Sequence, residues 1–475
     1  MRILAIDQGT SATKAIVVVD GVVAAEAERA CAPTATPDGG VEVDPELLWQ
    51  SVLGAGRDAL AKAGGRVPDA IGLANQGETI LAWDRTTGQP MSNCIVWQDR
   101  RSTALCDALR AQGWAERLAQ ITGLELDPYF VAPKIAWLRD RVAVGATITT
   151  SDVWLLHRLC GAFVTDAATA SRSLLLDLDT VTWSPIACEA FGIDLESLPS
   201  IVHNAGVVGE TTAFSTKPVP ITGLCVDQQA ALYAESCVAA GEAKCTYGTG
   251  AFLLASTGHA PTRSTNGLVG CVAWQIDNGI TWCLDGQVFT VGAAVTWLQE
   301  VGFIDSPGDL DRLGGTVATP EGVTFVPGLA GLGAPFWAPQ AKGALTGLSL
   351  GTSRAHVVRA VIEGIAAQVT WLARAAGSDL GKPLVRLRVD GGLTRSTVLL
   401  QTQADLLQAP IEVYPSPNAT ALGVAAFAQL GAGGKGTLHK WRPSAVIEPK
   451  VSGAEADARL HAWRAVAEAT LGLDG

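Results

Sequence analysis

No two of the chain's ten cysteines have CxxC spacing, and neither His157 nor His203 has an HxxxH companion. Those absences argue against a zinc cluster and a disulfide framework, and they leave the thiols as small buried hydrophobes of a reducing compartment. No run of lysine or arginine is long enough to follow a phosphate backbone, and the formal charge is −12, so nucleic acid is not an expected partner. Apolar stretches all stop short of the roughly 18 residues that span a membrane, so no membrane insertion is expected. The start, Met1-Arg2-Ile3, passes straight into a strand pattern without a signal-peptide core, and the expected location is the cytoplasm. Charged residues make up only 17% of the chain against 48% hydrophobic, and 52 glycines accompany just 4 tyrosines; this balance excludes disorder and suits compact domains. At 475 residues, two domains of about 200 to 250 residues each are expected.

What the chain does contain is an apolar strand, Ile3 to Ile6, that runs into the acidic, glycine-turned segment Asp7-Gln8-Gly9-Thr10-Ser11 and returns as a second apolar run from Ala15 to Val19. A looser copy follows past the middle, where Cys245-Thr246-Tyr247-Gly248-Thr249-Gly250 leads into Ala251-Phe252-Leu253-Leu254. Two such hairpins facing one another across a cleft would hold one nucleotide phosphate tail from both sides. Neither is a P-loop, because GxxxxGK[ST] is absent.

Asp20-Gly21 is a strong turn, and a third apolar segment after it predicts a three-stranded antiparallel start. Asp44 caps, and Pro45 begins, a helix carrying Leu47, Leu48, Val52 and Leu60 that stops at Gly64-Gly65. Short strands at Ala70 to Leu73 and Ile80 to Trp83 flank the polar segment Asn75-Gln76-Gly77-Glu78-Thr79, and a mixed helical region runs from about Asp99 to Leu156. The proline-bearing junction Thr216 to Pro220 precedes a strand from Ile221 to Val226, which sets the expected domains at 1–220 and 221–475. The second half repeats the scheme, with hairpins over 243–289, a helix from His356 to Ala376, and a strand from Val385 to Val389 that enters Asp390-Gly391-Gly392. A last helix after Asn418, rich in small residues, is expected close beneath a nucleotide.

Phosphoryl transfer needs neutralised phosphate oxygens, a divalent cation and an aligned acceptor. Thr10, Ser11 and Thr249 offer hydroxyls beside the turn amides, and Lys14 adds charge. Several residues carry two readings. Asp7 suits magnesium bound through water as well as it suits a hairpin Asx turn. Asp227, at a strand end and a helix start, is a general base or a helix cap. Glu78 with Gln76 orients a polyol or ends a sheet. Trp97 and Phe252 wall a carbon backbone or fill a core. Asp390-Gly391-Gly392 approaches ribose or phosphate, or only joins strand to helix.

Asp7-Gln8-Gly9-Thr10-Ser11, Asn75-Gln76-Gly77-Glu78-Thr79, Ile95-Val96-Trp97-Gln98-Asp99-Arg100-Arg101, Asp127-Pro128-Tyr129-Phe130, Asp227-Gln228-Gln229, Tyr247-Gly248-Thr249-Gly250 and Asp390-Gly391-Gly392 occur in an order that resembles the FGGY carbohydrate kinases over almost the full length, and within them the branch acting on glycerol. The resemblance implies an α/β fold of two actin-like (ribonuclease H-like) domains with mixed sheets and a central nucleotide cleft. The first would carry most of the substrate pocket and the second most of the nucleotide site, with ATP and Mg2+ as cofactors. In that analogy Asp227 is the catalytic base and Asp7 the metal residue. Thr10, Ser11, Lys14, Gly248, Thr249, Gly250, Gly391, Gly392 and Ser396 bind ATP, while Gly77, Glu78, Trp97, Tyr129, Asp227, Gln228 and Phe252 form the substrate pocket. The implied reaction is phosphorylation of a primary hydroxyl of a small polyol, glycerol to glycerol 3-phosphate first. Alternatives are a longer alditol or ketopentose such as erythritol, xylitol, xylulose or ribulose, and, in another class, a non-kinase actin-like ATP-binding regulatory or assembly protein. A homodimer or homotetramer is implied at family level. The glycerol branch typically carries arginine where Gly77 stands, so a guanidinium is missing from the pocket and room is left for an extra hydroxymethyl group; Ser396 stands where asparagine is common.

Overall fold

The computed structural model describes residues 1–277, 279–434 and 441–471. Ile3 to Ile6 are all apolar because their strand, Arg2–Gln8, lies inside a six-stranded sheet, antiparallel to Ala12–Val19 and parallel to Ala70–Asn75, and is buried on both faces. The order across this sheet is Ala205–Thr211, Val219–Val226, Ala70–Asn75, Arg2–Gln8, Ala12–Val19 and Val22–Ala30. The predicted three-stranded start is its antiparallel end. The helix Pro45–Lys62 packs on that end, with the Asp44 carboxylate accepting from Glu46 N at 2.8 Å as its cap.

A second, seven-stranded sheet repeats the plan. Ala243–Tyr247 takes the central place, antiparallel to Ala251–Gly258 and parallel to Leu387–Asp390, which pairs in parallel with Ile411–Val413. Gly279–Val288 and Val269–Ile276 extend the antiparallel side, and Ala445–Ile447 closes the other edge. The long helix Arg354–Asp379 covers this sheet, a little longer at each end than its apolar stripe predicts. Between the strands of the first sheet the chain builds a smaller five-stranded sheet from residues 34–150, with the helices Thr103–Ala111, Trp114–Thr122, Val131–Arg139 and Ser151–Cys160 around it. This insertion forms one wall of the cleft.

Two expectations change. The strand Val219–Val226 pairs in parallel with Ala70–Asn75, so residue 220 lies inside the first sheet, and the chain crosses to the second only after the helix Asp227–Ala234. The proline-bearing junction is the turn between two antiparallel strands of the first sheet, which is why composition shifts there. The small-residue helix after Asn418, Ala419–Gly431, lies back on the first sheet, and it is not the last, because Gly453–Leu471 follows it. Its small residues serve that approach: a Cβ at Gly223 would stand 2.4 Å from Ala428 N, and one at Gly423 only 1.9 Å from Ala230 O.

Because Gly423 meets backbone rather than a movable side chain, Gly423→Ala is expected to destabilise the fold by about 3 kcal/mol or more, seen as a lower thermal midpoint. An unchanged midpoint would show that this helix is not seated as described.

Candidate active site

Both glycine turns and the polar segment after Asn75 open onto one cavity of about 310 Å3. In the first hairpin Asp7 pairs in register with Lys14, and Gly9 N donates to Ala12 O at 3.1 Å, leaving Thr10 and Ser11 in the cavity wall. In the second, Gly248 N donates to Gly250 O at 2.8 Å and Gly292 N to Gly248 O at 3.0 Å. Gly248 and Thr249 thereby face the first loop across the same space. Gly250 is pressed against the neighbouring strand, where a Cβ would stand 2.6 Å from Val288 O.

Gly391, Gly392 and Ser396 do not line this cavity. Gly391, with φ +93°, abuts the backbone of Tyr247, so its turn braces the second loop from behind. Ser396 caps the helix Thr397–Leu407, accepting from Leu399 N at 3.1 Å and donating to the Asp311 carboxylate.

The remaining wall comes from Gly77, Glu78, Trp97, Tyr129, Asp227, Gln228 and Phe252, the residues that the resemblance assigns to an acceptor pocket, together with Glu28, Arg172 and Thr246. Trp97 stands edge-on to both Tyr129 and Phe252, with ring centroids 5.9 and 5.7 Å away, and its Nε1 donates to Thr10 Oγ1 at 2.9 Å. One ring thus ties the apolar wall to the first loop. Glu78 sits in the left-handed backbone region at φ +53°, a conformation that costs a non-glycine residue about 1 kcal/mol or more and persists where neighbours hold it. The neighbour is Arg172, whose Nε donates to Glu78 Oε1.

Charge in the cavity is unevenly balanced. Asp7, partly open to the cavity but otherwise enclosed by protein, is pushed up to about 7, by burial first and by the charge of Asp227 second, with Lys14 opposing. Burial also raises Asp227, against the pull of Lys244. The Asp227 carboxylate accepts from Gln228 N at 2.7 Å; it is the first residue of its helix, and Val226 holds the cap position. Lys244 donates to Gln228 Oε1 and, at 2.8 Å, to Thr246 Oγ1, and Thr246 in turn donates to Asp390. Two neighbouring carboxyl groups of raised pKa suit a divalent cation, since a cation relieves their repulsion. Among the described residues no three His, Cys, Asp or Glu side chains converge, so such a cation takes most of its shell from water and phosphate oxygens, as Mg2+ prefers.

Arg172, Lys244 and Thr246 escape sequence reasoning. Arg172 stands alone in the small and apolar run Thr169-Ala170-Ser171-Arg172-Ser173-Leu174-Leu175, and Lys244 alone on a buried strand. An isolated cation amid buried residues is the one signal they give, because a charge persists there only with partners.

The profile of the FGGY family of carbohydrate kinases, N-terminal domain, matches residues 2–234, and that of the C-terminal domain matches residues 243–432. The chain is 42% identical to the glycerol kinase of Thermus brockianus over 488 residues, spanning 99% of this chain and 98% of that protein. It is 43% identical to the glycerol kinase of Gloeobacter violaceus, across 91% and 88% of the two. Its fold matches the crystal structure of Plasmodium falciparum glycerol kinase with ADP at a TM-score of 0.88 and 32% identity, covering 99% and 98% of the two chains. No described helix is long and apolar enough to cross a membrane.

Beneath the cavity wall, buried Lys134 donates to the carbonyls of Tyr129 and, at 3.2 Å, Phe130, and burial lowers its pKa from 10.5 to about 7. Between those pH values the unfolded chain binds the extra proton, so this lysine makes stability rise as pH climbs. Relative to Lys134→Met, the wild type is expected to gain on the order of 2 kcal/mol between pH 7 and pH 9 in urea unfolding. A pH-independent difference would mean that Lys134 stays charged in the fold.

Proposed function

The chain belongs to the FGGY family of carbohydrate kinases, and from that premise we propose that its acceptor is glycerol, which it phosphorylates on a primary hydroxyl to give glycerol 3-phosphate. As a member of that family it is an ATP-dependent phosphotransferase. The observation carrying the finer reading is that Asp227 opens onto the same cavity as both glycine turns and the Glu78–Trp97–Tyr129–Phe252 wall. An acceptor held on that wall has its hydroxyl beside a carboxylate and its direction of attack towards the loops. Glycerol as the named substrate of relatives at 42% and 43% identity favours a three-carbon polyol over longer ones.

In this reading Asp227 accepts the proton of the hydroxyl as its oxygen forms a bond to the terminal phosphorus of ATP and the bond to ADP breaks. The amide of Thr249, the hydroxyls of Thr10 and Ser11 and the ammonium of Lys14 surround the phosphate oxygens on which charge is shared, while the Gly248 amide closes its own turn on Gly250 O. Gly250, Gly391 and Gly392 shape the second loop, and Ser396 fixes the helix on the nucleoside side. Gln228, held by Lys244, limits how Asp227 can turn. Asp7, with Asp227 near it, would hold Mg2+, which when bound neutralises phosphate charge. The raised pKa of Asp227 suits a base more than an ordinary carboxylate would. Association into a homodimer or homotetramer belongs to the same reading; Leu348 and Leu350, at 58% and 110% exposure, are apolar surface that such contacts would cover, and sedimentation velocity tests it.

The test is ADP release with Mg-ATP across glycerol, erythritol, xylitol, xylulose and ribulose. Glycerol is expected to give the highest kcat/KM; a higher value for a longer acceptor would replace it. Asp227→Asn is expected to lower kcat by about 100-fold or more. Activity of the wild type should fall on the acid side at a pH above 3.8, the ordinary carboxylate value, because the base must be ionised. A rate unaffected by Asp227→Asn would remove the residue from the reaction.

A further inference from the structure

We propose that Arg172 is the residue that reads the acceptor's hydroxyl groups, its guanidinium standing in the space that the absent side chain of Gly77 leaves beside Glu78; this rests on the acceptor reading above. A Cβ at Gly77 would lie 3.7 Å from Arg172 Nε, 3.8 Å from its Cδ and 3.1 Å from Val226 Cγ2. Arg172 therefore stands in van der Waals contact with the point from which a side chain at that position would grow. Arg172 and Gly77 line the same cavity, and the arginine side chain is only 4% exposed, so its opening is onto the cavity and not onto bulk solvent.

Its partners fix the guanidinium plane. Nε donates to Glu78 Oε1, Nη1 to Asp285 Oδ2 and, at 3.4 Å, to Cys271 Sγ, and Nη2 to Tyr129 OH at 3.3 Å. Those contacts occupy four of the five N–H donors of an arginine and leave one on Nη2. Asp285 is itself held by Gln287 Nε2 at 2.7 Å, so the anchor is not free to swing. A rigid cation beside a carboxylate, with Tyr129 next to both, recognises a hydroxyl as acceptor and donor at once, and it does so at a fixed distance from the aromatic wall. That geometry counts hydroxyl positions along a short carbon chain. An ion pair made only for packing has no reason to form the wall of a cavity.

The arrangement also makes acceptor recognition depend on the second domain. Glu78 and Arg172 belong to the first half of the chain, whereas Asp285 and Cys271 lie on strands of the second sheet. The residue that holds the hydroxyl is thus aimed from across the domain boundary.

Two variants test this against glycerol and erythritol. Arg172→Lys keeps the charge but loses the planar fork, and is expected to raise the acceptor KM by about tenfold or more while the KM for ATP stays within about twofold. Gly77→Ser leaves every charge in place and puts a hydroxyl against the guanidinium; it is expected to raise the glycerol KM several-fold and to change the glycerol-to-erythritol ratio, with the thermal midpoint held. An unchanged acceptor KM in both variants, or losses confined to the thermal midpoint, overturns the assignment while leaving the kinase reading intact. Absence of phosphorylation of either acceptor by the wild type overturns the acceptor reading and the role of Arg172 with it.

Discussion

The acceptor side of the molecule hangs on one buried guanidinium. Arg172 neutralises Glu78 from the first half of the chain and Asp285 from the second, in a place where neither carboxylate reaches bulk water. Taking one partner from such an arrangement costs about 3 to 5 kcal/mol, because the charges left behind are neither solvated nor paired. The left-handed backbone at Glu78 and the orientation of the Tyr129 hydroxyl go with where that group sits, and it joins the halves beside the bonds from Val272 N to Ser171 and from Gln275 N to Asn204. Burial works against the charge on Arg172, and Glu78 and Asp285 more than offset it, so the cation is retained.

The second organising feature is repetition. Each sheet has a glycine-turned hairpin beside strands running parallel to its first member, and the polar residues cluster where those parallel strands end. Asp7 closes Arg2–Gln8, Asn75 ends Ala70–Asn75, Asp227 follows Val219–Val226, and Asp390 ends Leu387–Asp390. Carboxyl ends of parallel strands are where such sheets expose backbone and side chains together, so two copies of one plan supply both sides of a phosphate-sized gap. The first half adds the insertion that carries Trp97 and Tyr129, and this makes the cavity asymmetric: one side for an acceptor, the other for phosphates.

Sequence pattern reads the part of this that is local. The helix cap at Asp44, both hairpins, the Asn75 to Thr79 segment and the presence of Asp227 at a strand–helix junction are set by neighbours in the chain, and the structure brings all of these but the cap to one cavity. What escapes is whatever depends on distant partners. Arg172 reads as an arginine among small residues until Asp285, far along the chain, is set beside it. Gly77 reads as a lost guanidinium, whereas in three dimensions its emptiness is occupied from another segment. The strand Val219–Val226 follows a proline-bearing turn and so resembles the opening of a new domain, although it completes the old one. The small residues after Asn418 suggest a ligand bed, but they let a helix approach a sheet at backbone distance.

The helix Ala419–Gly431 has a bearing on how the protein is made. The sheet formed by the first 226 residues needs Ala419–Gly431 laid on it, and Gly72 and Gly223 leave a groove that nothing earlier in the chain fills. During synthesis the amino-terminal half therefore leaves the ribosome with an apolar face uncovered, and keeps it so while six of the seven strands of the second sheet are translated. Chains terminated before residue 419 are consequently unfinished in their first domain, and they present chaperones and proteases with an open sheet instead of a free-standing nucleotide module.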